Sequence, residues 1–246
     1  MINPQIVQIV EVIRRSTQGF TQPFLCRGDD QRLYYVKGRG AGRRSLVAEW
    51  LGSSMAAAFN LPVAPFCVGE VDPNLIRYGP PELADLGSGY VFASQVVDNV
   101  LELAWSHVGA VGVTTRRDLV VFDYWVHNQD RTLTELGGNP NLLWEPTGKD
   151  LIVIDHNQAF DDTFDNTTFF QTHVFAQSWN DVYQDFFDRP RYEHRMRVAL
   201  ERFEDVCDRM PESWLIVDDG VPGGLQPDHA RAMLMEFSQD NFWDQR

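Results

Sequence analysis

The sequence predicts an α+β protein of two lobes, a small one built on an antiparallel sheet and a larger, mainly helical one. Three observations lead there. Short apolar and β-branched runs bounded by Gly, Asp and Pro fill roughly the first hundred positions. Helical spacing dominates after them. Charge is divided unevenly: residues 1–50 hold eight Lys and Arg against four Asp and Glu, and residues 51–246 hold thirteen against thirty-one.

Strands are expected near 5–15, 23–28 and 32–38, with Arg27-Gly28-Asp29-Asp30-Gln31 turning between the last two, so that the three form an antiparallel meander. Over 43–59 the residues Leu46, Trp50, Leu51, Met55 and Phe59 recur at helical spacing, and Asn60 and Pro62 end the helix. Strands at 63–71 and 89–97 complete a five-stranded sheet with one helix. These elements make a small lobe over 1–96, the helical lobe takes 97–246, and the two form one domain. In the larger lobe, Asn99–His107 and Thr115–Val126 read as helices, the second capped by Thr114 or Thr115. Short strands follow at Asn141–Trp144 and Leu151–Asp155, then a polar loop from Asn157 to His173, then helices near 190–209 and 227–241.

Composition narrows the function classes. The chain of 246 residues is 43% hydrophobic, ordinary for a globular protein. No apolar run approaches the roughly 20 residues of a membrane span, and the start lacks the pattern of a secretory leader. A soluble, cytoplasmic protein is expected. Cys26, Cys67 and Cys207 lack the spacing of a disulfide framework or a zinc site. The net charge of −14 argues against a nucleic-acid partner, and the acidic larger lobe against an anionic membrane surface. A basic segment facing an acidic remainder suits a cleft that holds a polyanion on one wall and divalent cations on the other; ordinary solvated charge accounts for most of the same residues.

Nineteen of the twenty-one basic residues are Arg, yet the apolar run Leu33-Tyr34-Tyr35-Val36-Lys37 ends in Lys. A compact ammonium on a strand suits a phosphate. Glu49, twelve residues on and on the following helix, is placed to hold it. The passage from Phe122 to Arg131 takes an apolar helix into a polar loop, and Asp130 stands where a carboxylate would orient an attacking hydroxyl and accept its proton. The plainer alternative is a structural Asp at a helix end. Arg131 has two candidate partners, Asp130 or a phosphate. Asn139, ahead of a short apolar strand, suits a magnesium ligand or a simple Asn-Pro turn. Leu151-Ile152-Val153-Ile154 delivers Asp155 to a strand end, a recurring way to aim a carboxylate at a phosphate-bound metal; a turn-capping Asp is the alternative.

Asn128-Gln129-Asp130-Arg131, Asn139-Pro140-Asn141-Leu142-Leu143 and Ile154-Asp155-His156 resemble the catalytic and metal motifs of HipA-like kinases and, more distantly, of phosphatidylinositol kinases. Val36 to Trp50 resembles the small-lobe portion of short HipA-like proteins. The resemblance covers about 8–160. It implies a protein-kinase-like fold that takes ATP and Mg2+ and passes the γ-phosphoryl group to a hydroxyl, most naturally Ser or Thr of a protein substrate. Asp130 is then the catalytic Asp, Asp155 and Asn139 the metal ligands, and Lys37 with Glu49 the pair that positions phosphates. Gln18, Gly19, Phe20 and Thr21 would lie over the nucleotide, and Gln95 and Val96 against adenine. Three departures stand out. The loop at 18–22 has one glycine. Asp130 and Asn139 are nine residues apart against about five in a protein kinase, which makes Asn141 a rival ligand and 134–138 an insertion that must bulge outward. His156-Asn157 follows Asp155 in place of Phe-Gly. The alternatives are a pseudokinase that binds nucleotide or protein without turnover, and a kinase acting on a small molecule or lipid.

Overall fold

The computed structural model describes residues 6–16, 22–185, 187–218, 221–239 and 241–244. Strands β1 (Val7–Arg15), β2 (Phe24–Gly28) and β3 (Leu33–Lys37) form the meander. Helix α1 (Arg43–Ala58), strand β4 (Phe66–Val71), the short α2 (Pro73–Arg77) and strand β5 (Gly89–Gln95) follow. β5 pairs antiparallel with both β3 and β4, and β4 pairs parallel with β1. The expected sheet is therefore a closed barrel in the order β1-β2-β3-β5-β4. Closure rests on a parallel match of Val7–Ile9 with Gly69–Val71, a long-range pairing that no local pattern announces. It leaves no open sheet edge and gathers Val7, Ile9, Cys26, Val36, Val71 and Ala93 into a small core.

α1 carries more burial than a single apolar stripe supplies. Every residue from Ser45 to Ala56 is buried, because the helix lies between the barrel and the helical part. A helix enclosed on all faces must find partners for its polar side chains inside the protein. Trp50 Nε1 donates to the Val206 carbonyl at 2.8 Å, and Glu49 finds the partners described below.

Beyond the barrel come β6 (Leu101–Glu102), α3 (Trp105–Val108), α4 (Val113–Trp125), β7 (Thr132–Thr134), β8 (Gly137–Asn139), β9 (Leu142–Glu145) and β10 (Asp150–Val153). The helix expected over Asn99–His107 is mostly replaced: Leu101 and Glu102 pair with Trp144 and Leu143 of β9, and tertiary pairing overrides local helical preference. α4 starts from Gly112 with no side-chain cap, so neither Thr114 nor Thr115 has the expected role. The expected polar loop from Asn157 to His173 contains α5 (Asn166–Thr172), started by Asp165, whose carboxylate accepts the Thr168 N–H at 2.8 Å, and anchored by buried Phe169.

The helix expected near 190–209 is broken into α7 (Asp188–Leu200) and α8 (Phe203–Asp208), preceded by α6 (Ser178–Gln184). The break turns Phe203 and Val206 into the same core as Met196 and Ala199. A small hairpin of β11 (Ile216–Asp218) and β12 (Val221–Pro222) leads to α9 (Pro227–Leu234). The last helix stops short of the expected 241 and tightens into a 3-10 turn over Met235–Ser238, which lets Phe237, Phe242 and Trp243 enter the core together. That core is aromatic: Phe59, at the C-terminal cap of α1, stacks on Tyr192 of α7 at 6.2 Å and meets Phe122 and Trp125 of α4. Among the described residues no helix is long and apolar enough to cross a membrane.

Candidate active site

A cleft of about 370 Å³ opens between the barrel and the helical part, lined among others by Lys37, Glu49, Gln95, Val96, Asn141 and Asp155. β3 ends by turning Lys37 into it. Its Nζ lies 2.6 Å from Glu49 Oε1 on α1 and 2.8 Å from Asp155 Oδ1 just past β10. Burial alone would lower the Lys37 pKa, but the two carboxylates outweigh it and raise it. Glu49 is pushed up to about 7 by its burial, against the pull of Lys37. Burial also acts against the Asp155 carboxylate, and Lys37 overrides it, holding Asp155 below the usual range. One cation thus serves two acids, and of these Asp155 keeps 23% of its side chain exposed while Glu49 keeps 1%. The solvent side of this network is Asp155.

α1 grips the chain after Asp155 at three turns. Glu49 Oε2 accepts the His156 N–H at 2.9 Å. Ser53 Oγ lies 3.1 Å from His156 Nδ1. Arg44 donates to the carbonyls of Asn157, Ala159 and Phe160 at 3.1, 3.2 and 2.9 Å. The approach is so close that a Cβ at Gly52 would meet the His156 Cβ at 2.5 Å, so only glycine fits there. Burial, reinforced by the Arg131 charge, lowers His156 to about 3 and keeps it neutral. Sequence reasoning gave no role to Arg44, Ser53 or His156; a glycine in the middle of a helix is the one local signal of this contact.

Asp130 sits in the loop after α4. Its Oδ2 accepts Asn141 Nδ2 at 2.8 Å, and burial together with the charge of Asp155 raises its pKa above that of an ordinary Asp. Asn139 and Asn141 both line the cleft. Asn139 is exposed in β8 opposite Thr132, whereas Asn141 is buried with φ of +51°. The residues between Asp130 and Asn139 form the β7–β8 hairpin, whose tip residue Leu136 is fully exposed. Gly138 is required in it, since a Cβ would strike the Thr132 carbonyl. His127, Asn141, Asp155 and Phe160 all hold left-handed φ, between +49° and +60°. Such strain persists where surrounding bonds fix it, here Phe160 N–H to the Val126 carbonyl at 2.7 Å and Ile154 N–H to the Asn141 carbonyl at 3.2 Å.

Arg131 turns away from both partners weighed for it. Fully buried, its Nε lies 3.0 and 2.9 Å from the two oxygens of Asp123, and its Nη1 donates to the carbonyls of Asn141 at 2.7 Å and Ile154 at 2.9 Å. Asp123 also accepts from Asn128 at 2.9 Å and bonds His173 at 3.0 Å. Burial works against its charge, and Arg131 and His173 outweigh burial, lowering its pKa. Asp123 was legible as an oddity, an acid inside the apolar run Leu119–Val126; His173, fifty residues away, was not.

At the far end of the cleft, the Gln95 N–H donates to the Pro65 carbonyl at 2.7 Å and the Val96 N–H to the Leu33 carbonyl at 2.8 Å, so both amides are already committed within the barrel. Gln18, Gly19, Phe20 and Thr21 lie outside the described residues; Ser16 and Pro23 on either side of that stretch line the cleft. Among the described residues, no group of three or more His, Cys, Asp or Glu is arranged to hold a metal by itself.

The fold matches the proinflammatory kinase CtkA of Helicobacter pylori at a TM-score of 0.54 with 11% identity, covering 96% of this chain and 95% of that one. It also matches the Golgi casein kinase in its Mn/ADP-bound structure, at a TM-score of 0.50 with 13% identity, covering 98% of this chain and 71% of that one. At such identity the likeness shows the fold, which is protein-kinase-like, with an N-terminal sheet and a helical C-terminal part. No curated protein sequence gives a significant match. The HipA-like kinase family model matches residues 9–246, nearly the whole sequence, and the chain therefore belongs to the HipA-like kinase family.

Proposed function

We propose that this protein is an ATP- and magnesium-dependent kinase that transfers the γ-phosphoryl group to a hydroxyl acceptor, Ser or Thr of a protein. The observation that carries the reading is Lys37 held between Glu49 and Asp155 at 2.6 and 2.8 Å on the cleft wall. Glu49, sealed in α1, fixes the ammonium. Asp155, on the open side, is the partner that an incoming phosphate displaces. Lys37 then meets phosphate oxygens as a point charge, and Asp155 is released to face the metal.

The residues present fit magnesium. An ionised Asp130 only accepts hydrogen bonds, so the nitrogen end of the Asn141 amide faces it and the oxygen end is left for a cation. Asp155 and Asn141 would hold the ion, with phosphate and water completing a hard, all-oxygen shell, as magnesium is ordinarily held. When bound, magnesium neutralises phosphate charge as the transfer proceeds. This favours Asn141 over Asn139. Asp130 orients the acceptor hydroxyl and takes its proton, and its raised pKa improves it as a base. The committed Gln95 and Val96 amides leave the Gln95 carbonyl and the backbone of Val97, the next cleft-lining residue, for the adenine edge. The hairpin absorbs the long Asp130–Asn139 spacing and carries its excess outward, which supports a transferring enzyme over a pseudokinase.

The test is purified protein with magnesium and γ-labelled ATP, following ADP release and label transfer. Asp130→Ala is expected to lower turnover by about 10²–10⁴-fold while ADP affinity stays within about twofold. Unchanged turnover in that variant overturns the assignment.

A further inference from the structure

The segment after Asp155 returns to the catalytic loop at a second point, and the return is made through buried charge. α5 ends at His173, whose ring is buried. His173 Nδ1 accepts the Phe175 N–H at 3.1 Å, so the proton of a neutral ring sits on Nε2, which faces Asp123 Oδ2 at 3.0 Å. Asp123 holds the Arg131 Nε, and Arg131 Nη1 in turn holds the carbonyls of Asn141 and Ile154. Asn141 grips Asp130 with its side chain, and Ile154 is the residue before Asp155. The backbone adds two ties at the same place: Val174 N–H donates to the Arg131 carbonyl at 2.9 Å, and His173 bridges to Thr132.

We infer that His173 is a positioning residue through which the segment from Asn157 to His173 sets the placement of Asp130 and Asp155. The inference deepens the proposed phosphoryl transfer and rests on it for its kinetic consequence. His173 touches neither the cleft nor any reacting atom. Its action runs by way of Asp123 and Arg131, whose fork fixes the two carbonyls flanking both carboxylates. The Asp123 carboxylate bonds Asn128 and Arg131 through one oxygen, Arg131 and His173 through the other. Without His173 that second oxygen keeps Arg131 alone, and the carboxylate and the Arg131 fork it holds are less tightly fixed. The arrangement gives the segment where protein kinases keep their regulatory loop a rigid connection to the catalytic carboxylates, made of imidazole, carboxylate and guanidinium.

His173→Ala and His173→Gln separate positioning from bulk stability. Glutamine can donate an N–H to Asp123 and accept from Phe175, so it restores the relay that alanine lacks. Expected for His173→Ala is a fall in kcat of tenfold or more with the KM for ATP within twofold, and at least half of the lost kcat recovered in His173→Gln. A second readout does not depend on turnover: amide hydrogen exchange in the magnesium-ADP complex should quicken over 130–142 and 153–157 in His173→Ala and return toward the wild-type rate in His173→Gln, while 33–37 stay unchanged. Faster exchange confined to 171–178, or exchange and kcat in both variants equal to those of wild type, overturns the inference. A uniform quickening across the chain that glutamine does not correct also overturns it, as a purely structural role. If wild-type protein shows no transfer at all, the proposed function fails on that result, and the exchange pattern still decides whether the relay exists.

Discussion

One buried ionic network lines the cleft and another is sealed away from it, and they differ in what surrounds them. Lys37, Glu49 and Asp155 share one cation between two acids, with Asp155 partly open to the cleft. Asp123, Arg131 and His173 are sealed completely, and the single guanidinium is matched by a single carboxylate and several carbonyls. The first is short of positive charge and open on one side, so a ligand can rewire it. The second is balanced and closed, so it holds geometry. Charge with an exit serves binding, and charge without one serves position.

Breaking the closed network should cost stability first. Asp123→Ala leaves the Arg131 guanidinium buried without its counter-ion, an effect of about 3–5 kcal/mol, read from the urea midpoint at pH 7. A change under about 1 kcal/mol would mean that water reaches Arg131 and that the network is not sealed.

Breaking the open network should cost activity instead. In Lys37→Met, Glu49, already raised by burial and no longer pulled down by Lys37, takes up a proton, and Asp155 faces water. Turnover is expected to fall by about 10²-fold, roughly 2.7 kcal/mol of lost transition-state stabilisation, with the melting temperature within a few degrees of wild type. A variant that unfolds but retains its turnover per folded molecule would reverse the assignment of the two networks.

The smallest effect concerns pH and the contact between them. His156 is lowered in the folded protein from 6.5 to about 3, so below pH 6.5 the unfolded chain takes up a proton that the folded chain refuses. His156 therefore contributes a loss of stability as pH falls from about 6.5 toward 3, set against the gain from Glu49, whose raised pKa lets the folded protein take up a proton as pH falls below about 7. Asp123, also lowered, adds to the loss further down, as pH passes below the ordinary Asp range toward its folded value. Urea midpoints at pH 7, 5.5 and 4.5 should fall less steeply in His156→Gln than in wild type, and parallel slopes would show that His156 is charged in the folded state.

The two networks also differ in how far the sequence reveals them. Lys37 and Asp155 end apolar strands, and Glu49 lies at a helical spacing from buried residues, so local pattern alone marks them as aimed charges. The closed network joins α4, the loop after it and the end of α5, and only the tertiary fold brings His173 to Asp123. Asn141 is legible only as a rival ligand to Asn139: its left-handed backbone and its bond to Asp130 are not disclosed by an Asn-Pro-Asn string. The same division holds for the fold. The meander and α1 follow from periodicity, whereas barrel closure, the β6 pairing and the break between α7 and α8 are long-range choices that local preference does not make.

The central claim is that Asp155 leaves Lys37 for a metal when nucleotide enters. Calorimetric titration with ADP, with and without magnesium, tests it directly in wild type and Asp155→Asn. Wild type is expected to bind at least tenfold more tightly with magnesium, and Asp155→Asn to bind equally with and without it. The same magnesium-dependent gain in both proteins would contradict the account.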